Sequence, residues 1–461
     1  MVTKEKMDTS EKREADLGKD PIGGLLFKLA LPAILAQVIN LLYNMVDRMY
    51  IGHIKDVGPA ALTGVGVTMP LIMCVSAFAA LVSMGGAPRA SIMMGKGKSE
   101  EAEKILGNCT SMLVITALIL TVLIQLFGKP ILMFFGASDN TIAYAWAYMQ
   151  IYSVGTLFVQ LALGLNAFIN AQGFAKIGMM TVTIGAICNI ILDPVFIFGM
   201  NMGVRGAALA TILSQGISCV WILFFLTGKK TTLRLKKGNL MIQARTILPC
   251  IALGISPFIM QFTESILNVC FNTSLLKYGG DMAVGAMTIL ASVMQFSMLP
   301  IQGLTQGAQP IVGYNFGAGN IPRVKKTFRL LLVCCVSFTT AIWLICMFTP
   351  QIFIGIFTAD SELASYTSWA IRVYMALTLI FGIQISCQQT FIALGNAKIS
   401  AFLAMLRKVF LLIPLIYILP VFFADKVFAV FLAEPVADAI AVTTTATLFY
   451  RQYRKLGKES L

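Results

Sequence analysis

Apolar residues run in long blocks separated by short polar breaks, and this happens twelve times: near 25–51, 60–84, 107–127, 142–169, 177–199, 206–227, 247–276, 283–307, 328–349, 363–393, 399–420 and 427–449. Each block can cross roughly 30 Å of hydrocarbon as a helix. The blocks are too long and unbroken for barrel strands, and lipid offers the backbone no hydrogen-bond partner, so each must satisfy its own amides as a helix. The pattern also repeats at a spacing of 222 residues: Tyr144 and Tyr152 return as Tyr366 and Tyr374, Gly95 and Gly97 as Gly317 and Gly319, and Ala175-Lys176-Ile177 as Ala397-Lys398-Ile399. The expected fold is an all-α integral membrane protein of twelve transmembrane helices in two pseudo-symmetric six-helix bundles. Residues 1–21 are read as a cytoplasmic N-terminal tail, 22–227 as an N-lobe, 228–245 as a basic cytoplasmic linker, 246–450 as a C-lobe and 451–461 as a cytoplasmic C-terminal tail. Tandem hydrophobic halves are the construction of secondary transporters, with the substrate site between the halves.

Charge changes the picture by orienting it. With the N-terminus inside, cytoplasmic segments hold 26 of the 35 Lys and Arg, the opposite loops hold five, and four fall inside helices. Such a bias places both termini in the cytoplasm of a multi-pass protein of the inner, cytoplasmic membrane. The net charge of +14 then reads as a topology signal and an attraction to anionic lipid, not as a nucleic-acid footprint. Residues 1–20 mix acids and bases without an apolar core and are expected to be a solvated tail, not a cleavable signal. With 57% hydrophobic and 12% charged residues, a soluble globular chain is excluded. All ten cysteines lie in or beside apolar blocks without a CxxC pair, as reduced core residues do. A single histidine, His53, argues against a transition-metal site.

An ionisable side chain in the bilayer costs roughly 2.5–3.5 kcal/mol on insertion scales, so each needs a reason. Asp193 stands before Pro194 near the outer end of the fifth block, with Asn189 one turn earlier. Counting from the block ends, Asp47, Asp193 and Thr211 share one level, roughly 8–9 Å below the outer boundary. Asn40 and Asn44 share the Asp47 face. Oxygen groups at one depth can bind Na⁺ or share a proton. The alternative is structural: Asp47 pairs with Arg48, and Asp193 caps the break made by Pro194. The second half has no copy of this site. Its deep charges are Glu264, Arg407, Lys408 and Asp438, which meet at mid-depth and should pair, with Glu434 one turn shallower. They form either an ion-pair network or, at Glu264, a cation or substrate contact. Tyr148, Asn166 and Gln160 are polar within the fourth block, facing a cavity or bonding between helices.

Two stretches carry a resemblance. Asn189-Ile-Ile-Leu-Asp193-Pro194-Val-Phe-Ile-Phe-Gly199, followed by Gly206-Ala-Ala-Leu-Ala210-Thr211, and Ser297 to Asn320 with Gln306-Gly-Ala-Gln-Pro310, resemble the multidrug and toxic compound extrusion (MATE) family, nearest its DinF- and MepA-like branch. The resemblance spans roughly residues 22–450 and reads 297–320 as the loop between helices 8 and 9. It implies a twelve-helix exporter of drugs, often organic cations, in exchange for H⁺ or Na⁺. It also implies a cation site of Asp47, Asn189, Asp193 and Thr211, with Tyr148 and Asn166 as polar neighbours. Glu264 matches a carboxylate used in another branch, but that branch's helix-10 aspartate is missing from Gln384-Ile-Ser-Cys387-Gln388-Gln389, which favours the N-lobe. Asn40, Asn44, Tyr148, Asn166 and Glu264 are thus assigned to the substrate cavity or its surroundings. No cofactor is expected beyond the coupling ion, and no metal beyond Na⁺ at that site. The expected partners are small-molecule drugs and membrane lipid, with the chain a monomer. A lipid or lipid-linked oligosaccharide flippase is the nearest rival, though Arg407 and Lys408 are the only deep basic pair. The basic loop motif of major facilitators and the acidic motif of a membrane transferase are both absent, so an enzyme is not expected.

Overall fold

The computed structural model describes residues 15–456. Six spans form the first lobe: α1 Ile22–Gly52, α2 Gly58–Gly95, α3 Ser99–Phe134, α4 bent by 60° between Ile142–Val154 and Thr156–Ala171, α5 Ala175–Gly199, and α6 Val204–Thr227. The second lobe begins with a continuous helix, Ala244–Gly317, whose backbone turns left-handed at Gly280 (φ 66°) and so divides into α7 (244–279) and α8 (281–317). Then follow α9 Ile321–Phe348, α10 bent by 50° between Ser361–Tyr374 and Thr378–Ala393, α11 Ala397–Phe422 and α12 Lys426–Lys455. Among the described residues the spans number twelve, and none is a strand.

The repeat is written into the backbone as well as the sequence. Gly97 and Gly319 both take the left-handed conformation, as do Gly173 and Gly395, each pair 222 residues apart. The breaks in α4 and α10 also correspond. At Gly155 a side chain would strike Ile212, so the glycine lets α4 turn against α6. The α10 break, over Met375–Leu377, has neither glycine nor proline; within it the Ala376 carbonyl accepts from Trp343 Nε1 of the preceding span at 2.8 Å.

The lobes approach each other through glycine. A Cβ on Gly85 of α2 would lie 1.8 Å from the Cys250 carbonyl of α7, and one on Gly254 would lie 1.7 Å from that of Leu81. The symmetry-related crossing uses Gly303 and Gly307 of α8, a small-xxx-small pair lying against Ile34 and Ala30 of α1. Gly95 and Gly317 bring α2 and α8 together at the carbonyls of Tyr314 and Ile92. These crossings cluster in the half of the molecule that carries the basic loops. Toward mid-depth the lobes still touch at Phe78–Phe258 and Ser265–Met73.

Two sequence expectations change. Residues 15–20 are not solvated: Ala15 and Leu17 are buried, and the Leu17 carbonyl accepts hydrogen bonds from Asn315 Nδ2 (2.8 Å) and Arg323 Nη2 (3.2 Å). Charge averaging over the tail hides the two apolar residues that dock; residues 1–14 and 457–461 lie outside the described chain. The segment 297–317, read as a loop, is helical through Gly317, and only 318–320 turns. Its glycines serve helix crossing rather than chain reversal. The linker between the lobes is fastened along its length. Gln172 Oε1 accepts from the Thr232 and Leu233 amides, Glu103 pairs with Lys236, and Asn108 Oδ1 accepts from the Gln243 amide, fixing it to the N-lobe.

The C-lobe charges are brought together. A π-helical turn over Leu406–Leu412 presents two consecutive bases to different helices. Arg407 donates to Asp438 Oδ1 and Glu434 Oε1 of α12, each at 2.7 Å, with its guanidinium over the Phe381 ring. Lys408 pairs with Glu264 of α7.

Two outcomes follow from this packing. Gly254→Ala should lower thermal stability by about 1–3 kcal/mol through overpacking, whereas Gly66→Ala, whose Cβ meets nothing within 4 Å, should not. Equal melting temperatures of the purified variants in detergent would mean that the crossing does not constrain the lobes. Arg407→Met leaves two carboxylates buried without their base and should cost about 3–5 kcal/mol. Thermal unfolding of that variant at the wild-type midpoint would remove the network from the stability of the fold.

Candidate cation site of the N-lobe

Local geometry explains how α5 delivers its acid. Pro194 cannot donate to the helix ladder, and the chain answers with a π-helical turn over Val195–Gly199, closed by the Met200 amide on the Val195 carbonyl at 2.8 Å. Asp193 sits just before that turn, fully buried, and Asn189 Nδ2 donates to its Oδ1 at 3.3 Å. Asp47, from the uninterrupted helix α1, is also buried and meets Asp193 carboxyl to carboxyl.

The structural alternative for Asp47 is overturned. Arg48 follows it in the chain but turns away, its Nη2 lying 3.5 Å from Met69 Sδ. Among the described residues, no ion pair involves Asp47 or Asp193. Two acids therefore share a buried place without an ion-pair partner among the described residues.

Around them lies a ring of polar groups. The Thr211 hydroxyl of α6 lies beside the Tyr148 hydroxyl and donates to the Ala207 carbonyl at 3.0 Å. Tyr148 stacks on Tyr152 with ring centroids 6.0 Å apart. Asn166 of α4 donates to the Gly178 carbonyl at 3.3 Å. Asn40, Asn166, Asn189 and Thr211 line one cavity of about 50 Å³ between α1, α4, α5 and α6. That exceeds the roughly 10–15 Å³ a single water needs. Asp47, Asp193 and Asn44 do not line it: the two acids lie beyond Asn189 and Tyr43, and the Asn44 amide donates to the Asn40 carbonyl at 2.6 Å.

Four acceptors in this region are buried and unmet: Asp47 Oδ1, Asp193 Oδ2, Asn189 Oδ1 and Asn166 Oδ1. A buried acceptor without a donor is costly. Four together, all oxygen, form a set that a hard cation or a proton satisfies and that an anion would not. The donor set therefore fits Na⁺ or H⁺.

Tyr43 was missed in the sequence. It lines the cavity, contacts Asn44 and lies beside Asp47, four residues and one helical turn from it; the spacing that marked Asn40 and Asn44 would have found it. Gln160 proves to be packing: its Nε2 donates to the Val75 carbonyl at 2.6 Å. Glu264 stands apart in the C-lobe, its side chain 51% exposed while Lys408 is 11% exposed.

Comparison with known proteins identifies the family to which this fold belongs. The MatE family model matches twice, at residues 32–195 and 256–418, one match per lobe. The Multidrug export protein MepA of Staphylococcus haemolyticus (strain JCSC1435) is 24% identical over 419 residues, covering 90% of this chain and 92% of its own. MepA of Staphylococcus aureus (strain N315) is 25% identical over 411 residues, covering 88% and 89%. Among solved structures, the MATE multidrug transporter DinF-BH is 32% identical and superposes with a TM-score of 0.86, covering 95% of this chain and 98% of its own. The tandem family match over most of its length shows that this chain is a multi-pass membrane protein belonging to the MATE family of efflux transporters.

Proposed function

We propose that this chain exports small organic compounds, cations among them, across the cytoplasmic membrane, driven by H⁺ or Na⁺ entering the N-lobe. The observation that carries the reading is the contact of Asp47 with Asp193 in a buried site without a base. In lipid such a pair is tolerated only when a cation or proton joins it. Asp47, Asp193, Asn189 and Thr211 would hold that cation, with Asn166 and the Tyr148 hydroxyl beside it.

The lobe contacts support alternating access. The glycine crossings hold the lobes together on the side of the basic loops, which the positive-inside bias assigns to the cytoplasm. The cleft then opens outward, and the coupling site, near the other end of α1 and α5, faces the medium that supplies the ion. A cation can bias the inward–outward equilibrium only through different affinities for the two states. The site spans α1, α5 and α6, so any shift of α1 against its neighbours changes the ligand set, and with it the affinity. The drug-exporting relatives support small organic substrates for this chain. A flippase for a lipid pyrophosphate would need free basic groups at depth, and both Arg407 and Lys408 are committed to carboxylates.

Asp193→Asn and Asp47→Asn should each reduce gradient-driven efflux of a fluorescent organic cation from proteoliposomes at least tenfold while the protein remains folded. Separate H⁺ and Na⁺ gradients identify the coupling ion. Efflux at the wild-type rate in Asp193→Asn would remove the carboxylate from coupling and leave the Pro194 break as the reason for the motif.

A further inference from the structure

A second cavity, unrelated to the coupling site, lies on the seam between the lobes at the end that carries the basic loops. It measures about 200 Å³; α2 contributes Arg89, Ile92 and Lys96, and the C-lobe closes it with Phe316, Leu394 and Gly395. Arg89 and Lys96 are seven residues apart, two turns along one face, so their stems are separated by roughly 10 Å of helix. No acid lines the cavity. Neither base is in an ion pair among the described residues, and Arg89 Nε is buried without a partner. On its other side Arg89 lies against the Cys250 sulfur, with Cys109 beyond it, while its Nε still finds no partner.

We propose that this cavity binds the phosphate of an anionic phospholipid head group, clamped between Arg89 and Lys96 at the junction of the two lobes. A guanidinium with an unmet N–H and an ammonium two turns away suit a phosphate, which presents several acceptor oxygens to both. The remaining wall, Ile92, Phe316 and Leu394, is apolar and suits the glycerol and upper acyl carbons of a lipid. A free phosphate would gain nothing from it. At about 200 Å³ the space is below the roughly 300–1,000 Å³ of drug-sized pockets, so a head group fits and an exported drug does not. Basic pockets between spans at the cytoplasmic face are where anionic lipids are held.

The position adds a consequence, resting on the alternating-access reading. Ile92 lines the cavity and also forms the crossing with Gly317, and Gly395 lies against the Ile92 side chain at 3.4 Å from its own would-be Cβ. When the lobes part on this side the cavity is dismantled, so the lipid binds one state only and favours the state closed at that end.

The test uses the purified full-length chain in neutral detergent, titrated with a short-chain phosphatidylglycerol, the matching phosphatidylcholine, or inorganic phosphate, with the thermal midpoint as readout. Phosphatidylglycerol should raise the midpoint saturably and phosphatidylcholine should not. Lys96→Gln, at an exposed helix end, should weaken half-saturation by about fivefold, and the double variant Arg89→Gln, Lys96→Gln should abolish the response. Lys229→Gln with Lys230→Gln, which removes two exposed charges from the linker, should leave it intact. If the Arg89 variant fails to fold, Lys96→Gln alone decides. An equal response in Lys96→Gln and wild type, no response in wild type, or inorganic phosphate matching the lipid's effect would each overturn the proposal. None of these readouts involves transport, so failure here is distinguishable from failure of the export mechanism.

Discussion

A charge held away from water must be matched, and the two lobes meet this constraint in opposite ways. In the C-lobe the match is internal: Arg407 serves Asp438 and Glu434, and Lys408 serves Glu264, so α7, α11 and α12 are tied by groups that never leave the protein. In the N-lobe Asp47 and Asp193 meet each other and no base, and the acceptors around them are unmet. The same ancestral bundle has therefore become a closed charge system on one side and an open one on the other. Only the open one leaves its acids without an ion-pair partner among the described residues, and that is what supports ion coupling there. A resident ammonium at Glu264 also explains why a second mobile cation is not needed there.

Close approach of backbones is the complementary constraint. Lipid gives helices little hydrophobic reason to associate, so intimate packing between spans depends on small residues. Here the intimate contacts between lobes are α2 on α7, α1 on α8 and α2 on α8, all glycine-mediated and all toward one end. The two bundles are therefore joined most closely at the end that carries the basic loops. The linker and residues 15–20 lie at the joined end and are themselves fastened, the first to the N-lobe through Gln172, Glu103 and Asn108, the second to the C-lobe through Asn315 and Arg323. Motion of one lobe against the other must therefore strain or release these attachments, as well as the glycine crossings.

Much of this was readable because a helix is a ruler. A rise of 1.5 Å per residue turns position into depth, and depth alone brought Asp47, Asp193 and Thr211 to one level before any coordinates; the structure places the two acids in contact. The same ruler grouped the five C-lobe charges. What it could not convey was direction around the axis. Arg407 and Lys408 are consecutive, and only the π-helical turn explains how both face protein. Tyr43 was overlooked although it lies one turn from Asp47, because a tyrosine in an apolar block resembles packing. The docking of Leu17 was hidden for a different reason: its stabilising partners, Asn315 and Arg323, are some 300 residues away, and local polarity carries no trace of them. The helix through 297–317 was concealed by glycines that signal a turn in water but permit close crossing in a membrane.

The glycine crossings and the seam cavity bear on one another. A crossing that brings two backbones within van der Waals contact leaves no space at the contact and must leave space beside it, since helices diverge on either side of their closest point. Gly95 and Gly317 define such a point, and the cavity bounded by Ile92, Phe316 and Gly395 is the space beside it. What fills it is decided by its surface. With Arg89 and Lys96 on one wall and no acid opposite, the cavity repels cations and attracts anions, the reverse of the N-lobe coupling site. The molecule thus carries two electrostatically opposite sites, an acidic one within the N-lobe and a basic one on the seam between the lobes. Occupation of either changes the relative free energy of the two states, provided that its ligand set is intact in one and broken in the other.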